Sequence, residues 1–473
     1  MNQIPVTDKS TRRSQSMSSS MKDKDSDNGF QSRFGFLLVS AGCAIGIGNV
    51  WKFPYIAGQN GGGIFVFLYI LFLVLMGIPV LAMELSLGRA SRKSAVPAYK
   101  ALEPAGSKWH IHGWLCIAGS YILMMYYTTV AGWMLSYFIK YVTGVFSEPD
   151  VDVDEVYQSL LASPGEMMFY TSIIVVLGFL VTSFSIRSGL ERVTKFMMIG
   201  LLGIILILVV NSFLLKGAGE GFRFFLSPNM DKVAEHGGGN VVVAAMNQAF
   251  FTLSVGMGAM EIFGSYMSRK KSLLHEAGTI CIMDTFVAIC SGLIIFPACF
   301  TFSVEPTEGP SLIFSTLPRV FNNMAGGRVW GIFFFLFMTF ASFSTVIAVF
   351  EGLIKHSEDN FGVSRRKAAV INCLIMLAAS VPCVLGFNRW SEVRLMGDRN
   401  ILSGEDFMVS NLILPIGALI YTVFCSYKFG WGFEKFAAEA NEGEGFKVRT
   451  WMKPYFRYVL PVLMLVVIVQ GLV

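Results

Sequence analysis

Ala41-Gly-Cys-Ala-Ile-Gly-Ile-Gly-Asn49 interrupts one long apolar run at mid-length, and Ser254-Val-Gly-Met-Gly258 interrupts another. The runs are residues 36–58 and 241–267, the first and sixth of a series, so they stand five segments apart. Five is odd. Two five-helix units related by that spacing insert in opposite orientations, which is the inverted-repeat pattern of many secondary transporters. Unwinding a helix in the bilayer frees carbonyls for a cation and leaves half-helix N-termini to face an anion, in a place where unsatisfied backbone is otherwise prohibitive. A glycine-rich stretch alone is more often a close helix contact. The paired spacing points instead to a binding site near the bilayer midplane.

Working outward, a helix needs about 20 apolar residues to cross the hydrocarbon core. Such runs also cover residues 63–86, 113–143, 168–186, 193–215, 277–303, 328–354, 367–387, 407–427 and 455–473, which makes eleven. With 54% hydrophobic and 15% charged residues, and a mean hydropathy of +0.58, no soluble domain fits between them. The expected fold is an all-α membrane protein of about eleven transmembrane helices. Its two inverted five-helix repeats would cover residues 30–217 and 218–430, and a loop and an eleventh helix residues 431–473. Residues 1–29 are polar, rich in Ser, Lys and Asp, and lack the apolar core of a signal peptide. They read as a disordered cytoplasmic tail.

With the N-terminus inside, the inner loops carry Arg89, Arg92 and Lys93, then Arg187, Arg192 and Lys195, then Arg269, Lys270 and Lys271, then Arg365, Arg366 and Lys367. This satisfies the positive-inside rule. The acidic loop with Glu148, Asp150, Asp152, Asp154 and Glu155 is then outside, as is the C-terminus. The address expected is the cell inner (plasma) membrane. A net charge of +5 spread over short loops argues against nucleic acid as a partner. Eight cysteines, all in or beside apolar segments and none at metal-ligand spacing, read as small core residues. An enzyme has little support, since no histidine pair or activated nucleophile stands out.

The residues that follow carry a resemblance. Arg33-Phe-Gly-Phe-Leu-Leu-Val-Ser-Ala-Gly-Cys-Ala-Ile-Gly-Ile-Gly-Asn-Val-Trp-Lys-Phe-Pro54, with Gln59-Asn-Gly-Gly-Gly63 and Gly77-Ile-Pro79 through Glu84 to Gly88-Arg89, strongly resembles the opening of the neurotransmitter:sodium symporters. Gln248-Ala-Phe-Phe-Thr-Leu-Ser-Val-Gly-Met-Gly258 and Phe340-Ala-Ser-Phe-Ser-Thr345 resemble that family's sixth and eighth helices. The count of eleven, without the twelfth helix of many members, resembles bacterial sodium-dependent amino-acid transporters.

The resemblance implies two sodium sites. The first would use Ala44, Asn49, Thr252 and Asp284 with the substrate carboxylate, and the second Gly42, Ile45, Ala341, Ser344 and Thr345. Oxygen ligands of this kind suit a hard cation. Hydroxyls such as Thr252, Ser344 and Thr345 otherwise serve helix packing. Asp284, an ionisable group inside an apolar helix, needs a cation or a proton as partner. Chloride-requiring members have Asn there, so a carboxylate implies chloride independence, and without its cation it is poised to take a proton. Glu84 is implied to brace the unwound part of helix six, Glu261 reads as a buried hydrogen-bond acceptor, and Glu351 has no role assigned.

Substrate contacts implied are Ala44, Gly46, Leu123, Tyr127, Phe251, Ser254, Met257 and Val346. Monoamine-transporting members carry Asp where Gly46 stands, so a carboxylate-bearing amino acid is favoured, and a flexible Met257 suits an apolar or aromatic side chain. The outer gate implied is Lys52 with Asp406 and Gln248 nearby, Lys replacing the usual Arg. Tyr266 and Asp359 match the inner gate, where the family's Trp is Phe30 and its Arg is Asp27, with Lys24 as a substitute. The function expected is sodium-coupled import of a hydrophobic or aromatic L-amino acid. The alternative is a channel or non-transporting sensor on the same fold, for which two alternately closing gates have no use.

Overall fold

The structure is a computed structural model that describes residues 30–148, 151–186, 189–304 and 309–472. The expected tail 1–29 lies outside the described residues, with Lys24 and Asp27, as do Asp150 and Arg187. The described residues are helical almost throughout, and their membrane segments are numbered α1 to α11.

The first, α1, is a pair of halves, Arg33–Ala44 (α1a) and Gly48–Gln59 (α1b), bent by 59° at the break. Then come α2 (Gly63–Ser91), α3 (His110–Thr143), α4 (Pro164–Ser183) and α5 (Leu190–Leu214). The sixth is again split, into Gly238–Thr252 (α6a) and Ala259–Tyr266 (α6b), each too short to span alone. The series closes with α7 (Leu273–Thr301), α8 (Gly327–Phe361), α9 (Arg365–Leu385), α10 (Ile401–Ser426) and α11 (Thr450–Leu472). The two breaks lie side by side, for Asn49 just past the first donates to Thr252 at the edge of the second.

The apolar runs located these helices to within a few residues, except at two ends that bear on function. α8 continues to Phe361, seven residues past its apolar run, and carries Lys355, Glu358 and Asp359 on that extension. α10 starts at Ile401, six residues early, so Asp406 sits inside the helix. Short amphipathic helices such as Ala95–Leu102, Val153–Ala162 and Phe433–Ala440 line the ends of the bundle. They are too short for a spanning-length search to find.

Proline explains a recurring irregularity. A proline inside a helix clashes with the carbonyl four residues earlier and lacks the N–H that would bond to it. Pro54, Pro79, Pro318, Pro415 and Pro461 each lie two residues beyond a wide π turn, at Gly48–Lys52, Leu73–Gly77, Leu312–Thr316, Met408–Ile413 and Tyr455–Val459. The extra residue in each turn makes room for the ring, and the helix runs on.

In packing, α2 lies against α6b and α7, and α1a among α5, α7 and α8, while α3, α4, α8 and α9 pack on one another. The two broken helices lie at the seam between these groups, where the site is built.

Candidate functional site

At both breaks, side chains satisfy the backbone that unwinding frees. Between α1a and α1b the Ile47 N–H donates to the Tyr127 hydroxyl at 3.2 Å, and the Gly46 N–H to Asn49 Oδ1 at 3.1 Å. In α6 the chain turns through positive φ at Ser254 (50°), Gly256 (107°) and Gly258 (81°). The buried Glu84 carboxylate of α2 accepts the N–H of Gly256 at 2.7 Å and of Met260 at 3.0 Å. A carboxylate at the N-terminus of α6b also complements the half-helix dipole.

Three of the residues expected at the first sodium site meet beside the breaks. Thr252 donates its hydroxyl to Asp284 Oδ2 at 2.7 Å. The Asn49 amide donates to Asp284 Oδ1 at 2.9 Å and to Thr252 Oγ1 at 3.2 Å. All three are buried. Tyr69, which the sequence reading did not include, approaches Asp284 Oδ2 at 3.4 Å. A buried carboxylate whose charge is met only by hydrogen-bond donors suits a cation.

The second expected set also converges, on carbonyls of α1a and hydroxyls of α8. Ser344 Oγ donates to Gly42 O at 2.9 Å and Ala341 O at 2.8 Å. Thr345 Oγ1 lies 3.2 Å from Gly42 O, 3.3 Å from Ile45 O and 3.4 Å from Ala341 O. Its 3.4 Å neighbour Cys43 O was not anticipated. Four carbonyls and two hydroxyls, with no side-chain cation among them, form a hard, neutral oxygen cage.

Beside both clusters lies a cavity of about 320 Å³. Ala44, Gly46, Leu123, Tyr127, Phe251, Ser254 and Met257 are on its wall, as expected, with Thr252 and Thr345 of the two oxygen clusters. Val346 is not. It is fully buried, and its methyl group packs beside Gly178 of α4. A residue next to Thr345 is turned by about 100° on a helix, so the two cannot face α1 together. Gly46 has a specific reason to be glycine here: a Cβ would run into the Tyr127 hydroxyl and come within 3.1 Å of Thr345 Oγ1.

The cavity continues toward one end of the bundle past Trp51, Lys52, Tyr55, Leu402 and Asp406. There Lys52 Nζ lies 3.8 Å from Asp406 Oδ2, both side chains about a third exposed, and 3.8 Å above the centre of the Phe251 ring. Asp406 is held from behind by Tyr126 at 3.0 Å and Ser410 at 2.8 Å, neither of which stood out in the sequence. The Gln248 side chain is buried, without a hydrogen-bond partner among the described residues, and off the cavity wall.

At the opposite end the arrangement differs from expectation. Tyr266 donates its hydroxyl to Glu351 Oε1 at 3.0 Å, not to Asp359. Glu351 is fully buried and held by both terminal nitrogens of Arg365, one at 3.0 Å. Asp359 instead pairs with Lys355 at 3.0 Å and accepts the Ser94 N–H at 2.7 Å. Eight residues separate Glu351 from Asp359 on α8, about 12 Å, so only one can reach Tyr266. Phe30 takes an aromatic seat edge-on to Tyr266, 6.3 Å between ring centres. The start of α1a is tied down beside it: the Gln31 N–H donates to Glu191 at 2.6 Å, and Arg33 holds Glu276 at 2.8 Å.

Comparison with known proteins places this geometry. The model of the sodium:neurotransmitter symporter family matches residues 27–149 and 150–473. An uncharacterized sodium-dependent transporter of Bacillus subtilis is 32% identical over 92% of this chain and 96% of its own length. The sodium-dependent serotonin transporter of Drosophila melanogaster is 26% identical over 92% of this chain and 74% of its own. The crystal structure of MhsT in complex with L-phenylalanine superposes with a TM-score of 0.84 at 31% identity, covering 94% of this chain and 99% of that one.

Proposed function

The chain belongs to the sodium:neurotransmitter symporter family, and on that premise we propose that it couples two sodium ions to import of an apolar or aromatic L-amino acid, without a requirement for chloride. The observation that carries this reading is the Asp284 carboxylate, buried at the seam with Asn49 and Thr252 and beside a cavity of amino-acid size. The Asn49 amide and the Thr252 hydroxyl orient the two Asp284 oxygens without neutralising them, which leaves their charge for a sodium ion. Ala44 on the cavity wall, together with the substrate carboxylate, completes the shell of that ion. The second ion takes the cage of Gly42, Ile45, Ala341, Ser344 and Thr345.

The substrate amine and carboxylate lie along the broken α1 near Ala44 and Gly46, within reach of Tyr127. The side chain points toward Leu123, Phe251, Ser254 and Met257. Among the described residues the cavity wall carries no carboxylate but Asp406, at its outer end, and Gly46 leaves no space for one beside the amine, which favours an amino acid over a monoamine. The L-phenylalanine bound by MhsT supports the same side-chain class.

Transport follows from two ions and a zwitterion adding about two positive charges to a low-dielectric seam, where a fixed anion attracts them strongly. Binding draws α1 and α6 against α3 and α8, so that Lys52, Phe251 and Asp406 close over the site. Opening at the other end then requires release of Tyr266, Glu351 and Arg365. Basic residues gather at that end, among them Arg89, Arg92, Arg269 and Arg365, which makes it cytoplasmic by the positive-inside rule. The N-terminus is then inside and the C-terminus outside, in the cell inner membrane, with repeats at 30–217 and 218–430.

The experiment is uptake of apolar L-amino acids into proteoliposomes in sodium chloride, sodium gluconate and potassium chloride, for the wild type and Asp284→Asn. Sodium-dependent uptake that is equal in chloride and gluconate is expected, with chloride stimulation appearing only in the Asn variant. A wild type that fails in gluconate removes the role given to Asp284, and uptake equal in sodium and potassium removes the coupling.

A further inference from the structure

We propose that Glu261 is a proton-binding site, distinct from the sodium sites and joined by a line of ionisable side chains to Tyr99, on the helix that starts at the Arg365 end. Glu261 is the third residue of α6b and fully buried. Its Oε2 accepts the Tyr421 hydroxyl of α10 at 2.5 Å, while its Oε1 has no hydrogen-bond partner among the described residues. Glu84 faces it from α2, and the contrast between the two carboxyls decides their charges. Glu84 has a backbone N–H on each oxygen, one of them from Met260, the residue before Glu261. It is a satisfied anion. Glu261 has one donor for two oxygens and a second carboxylate beside it, and two carboxyls in apolar surroundings do not both stay charged. The proton goes to Glu261.

The surroundings supply a route. Tyr421 Oη lies 3.8 Å from Cys116 Sγ on α3, and Cys116 Sγ 3.7 Å from His112 Nε2 one turn earlier. His112 Nδ1 is 2.8 Å from the Tyr99 hydroxyl on the Ala95–Leu102 helix. That helix follows Ser94, which is bonded to Asp359 at the Arg365 end. The titratable groups facing Glu261 are therefore Glu84 from α2, Cys116 and His112 from α3, Tyr421 and Cys425 from α10, and Tyr99. On the α8 side, Glu351 meets α6b only at Tyr266, and on the α1a side Cys43 lies toward Glu84. Asp284 shares none of these partners; its own are Asn49, Thr252 and Tyr69.

The step is a proton transfer without redox change. A hydronium ion at the Arg365 end becomes water, an O–H bond forms at Glu261 Oε2 as Tyr421 hands over its hydroxyl proton and takes another from the Cys116 side, and release reverses these steps. Because Glu261 is in the first turn after the α6 break, movement of α6b away from Tyr421 removes the donor that an ionised Glu261 depends on. Proton occupancy and the position of α6b are then linked.

The inference rests on the symport reading for its uptake arm alone, and the spectroscopic arm is independent of transport. Infrared difference spectra of the full chain in lipid, titrated with acid and base, should contain a protonated-carboxyl stretch that Glu261→Gln removes and Asp284→Asn retains. In proteoliposomes, sodium-driven uptake should vary with the pH on the Arg365 side in wild type and be flat in Glu261→Gln, whose amide imitates the protonated acid. Tyr421→Phe should move the wild-type curve to higher pH. An unchanged band in Glu261→Gln overturns the assignment even if that variant no longer transports. An unchanged pH curve in a transporting Glu261→Gln overturns it too. Wild-type uptake that lacks sodium stimulation counts against the symport reading and leaves the infrared result to decide this one.

Discussion

The two ends of the molecule are closed by ion pairs of opposite character. At the Lys52 end a single ammonium reaches one oxygen of Asp406 at 3.8 Å, with both side chains about a third exposed and a cavity beneath them. At the Arg365 end a guanidinium, itself 19% exposed, takes both oxygens of the fully buried Glu351 carboxylate, and Tyr266 adds a third hydrogen bond. An exposed pair contributes about 0–1 kcal/mol, whereas removing one partner of a buried pair costs about 3–5 kcal/mol because the other charge is left in an apolar medium. The difference indicates which end opens freely. On the proposed cycle water reaches the Lys52 end at little cost, and the Arg365 end waits for the free energy that bound ligands supply.

The strongest way to break this comparison is Arg365→Ala, which strands the buried Glu351. It should lower thermal stability and reduce uptake by about a hundredfold or more, following from a loss of about 3–5 kcal/mol. Adding Glu351→Gln should restore over half of the lost stability, because the penalty lies in the unpaired charge. If Arg365→Ala alone is as mild as a change at Lys52, the two ends do not differ as described. Next in size is Lys52→Ala, expected to slow uptake by up to about fivefold, the equivalent of about 1 kcal/mol, with equilibrium binding of substrate changed less. Equal losses in both measurements would make Lys52 a substrate contact. Lys52→Arg sharpens the comparison from the other side: a planar fork can hold both Asp406 oxygens, and substrate release toward that end should slow by about twofold, about 0.4 kcal/mol, in dissociation of a radiolabelled substrate. The smallest effect expected is from salt. Raising ionic strength with an inert electrolyte should shrink the Lys52→Ala difference and leave that of Arg365→Ala unchanged, since only exposed pairs are screened.

The two ends also differed in how legible they were. Lys52 sits within a stretch that carries the family resemblance, and the resemblance implied Asp406 as its partner, so their pairing could be anticipated. Glu351 is an isolated acid in an apolar run, and its partner Arg365 reads as one more inner-loop charge until the structure extends α8 and places α9 against it. The spans themselves were legible because twenty apolar residues have few other uses, and the breaks because paired glycines are. The oxygen clusters needed the resemblance, since a hydroxyl that coordinates and one that packs are alike in sequence. Val346 was misplaced because a motif match does not fix which way a helix is turned. Glu261 and Tyr421 are 160 residues apart, and nothing local in either segment signals the other.

The π turns ahead of the prolines give the proposed outer gate a mechanical property. Lys52 is the last residue of one such turn, and Asp406 lies two residues before another. A π turn holds one residue more than an α turn, so taking it up would advance the helix by about 1.5 Å and rotate it by about 100°. The proline behind each turn opposes that, at a cost of about 3 kcal/mol for the restored clash. Each gate residue is thus mounted on a helix with one residue of slack held open by a ring. The 3.8 Å gap between them is a matter of register, set by the spacing of Pro54 and Pro415 from the charges, before it is a matter of electrostatics.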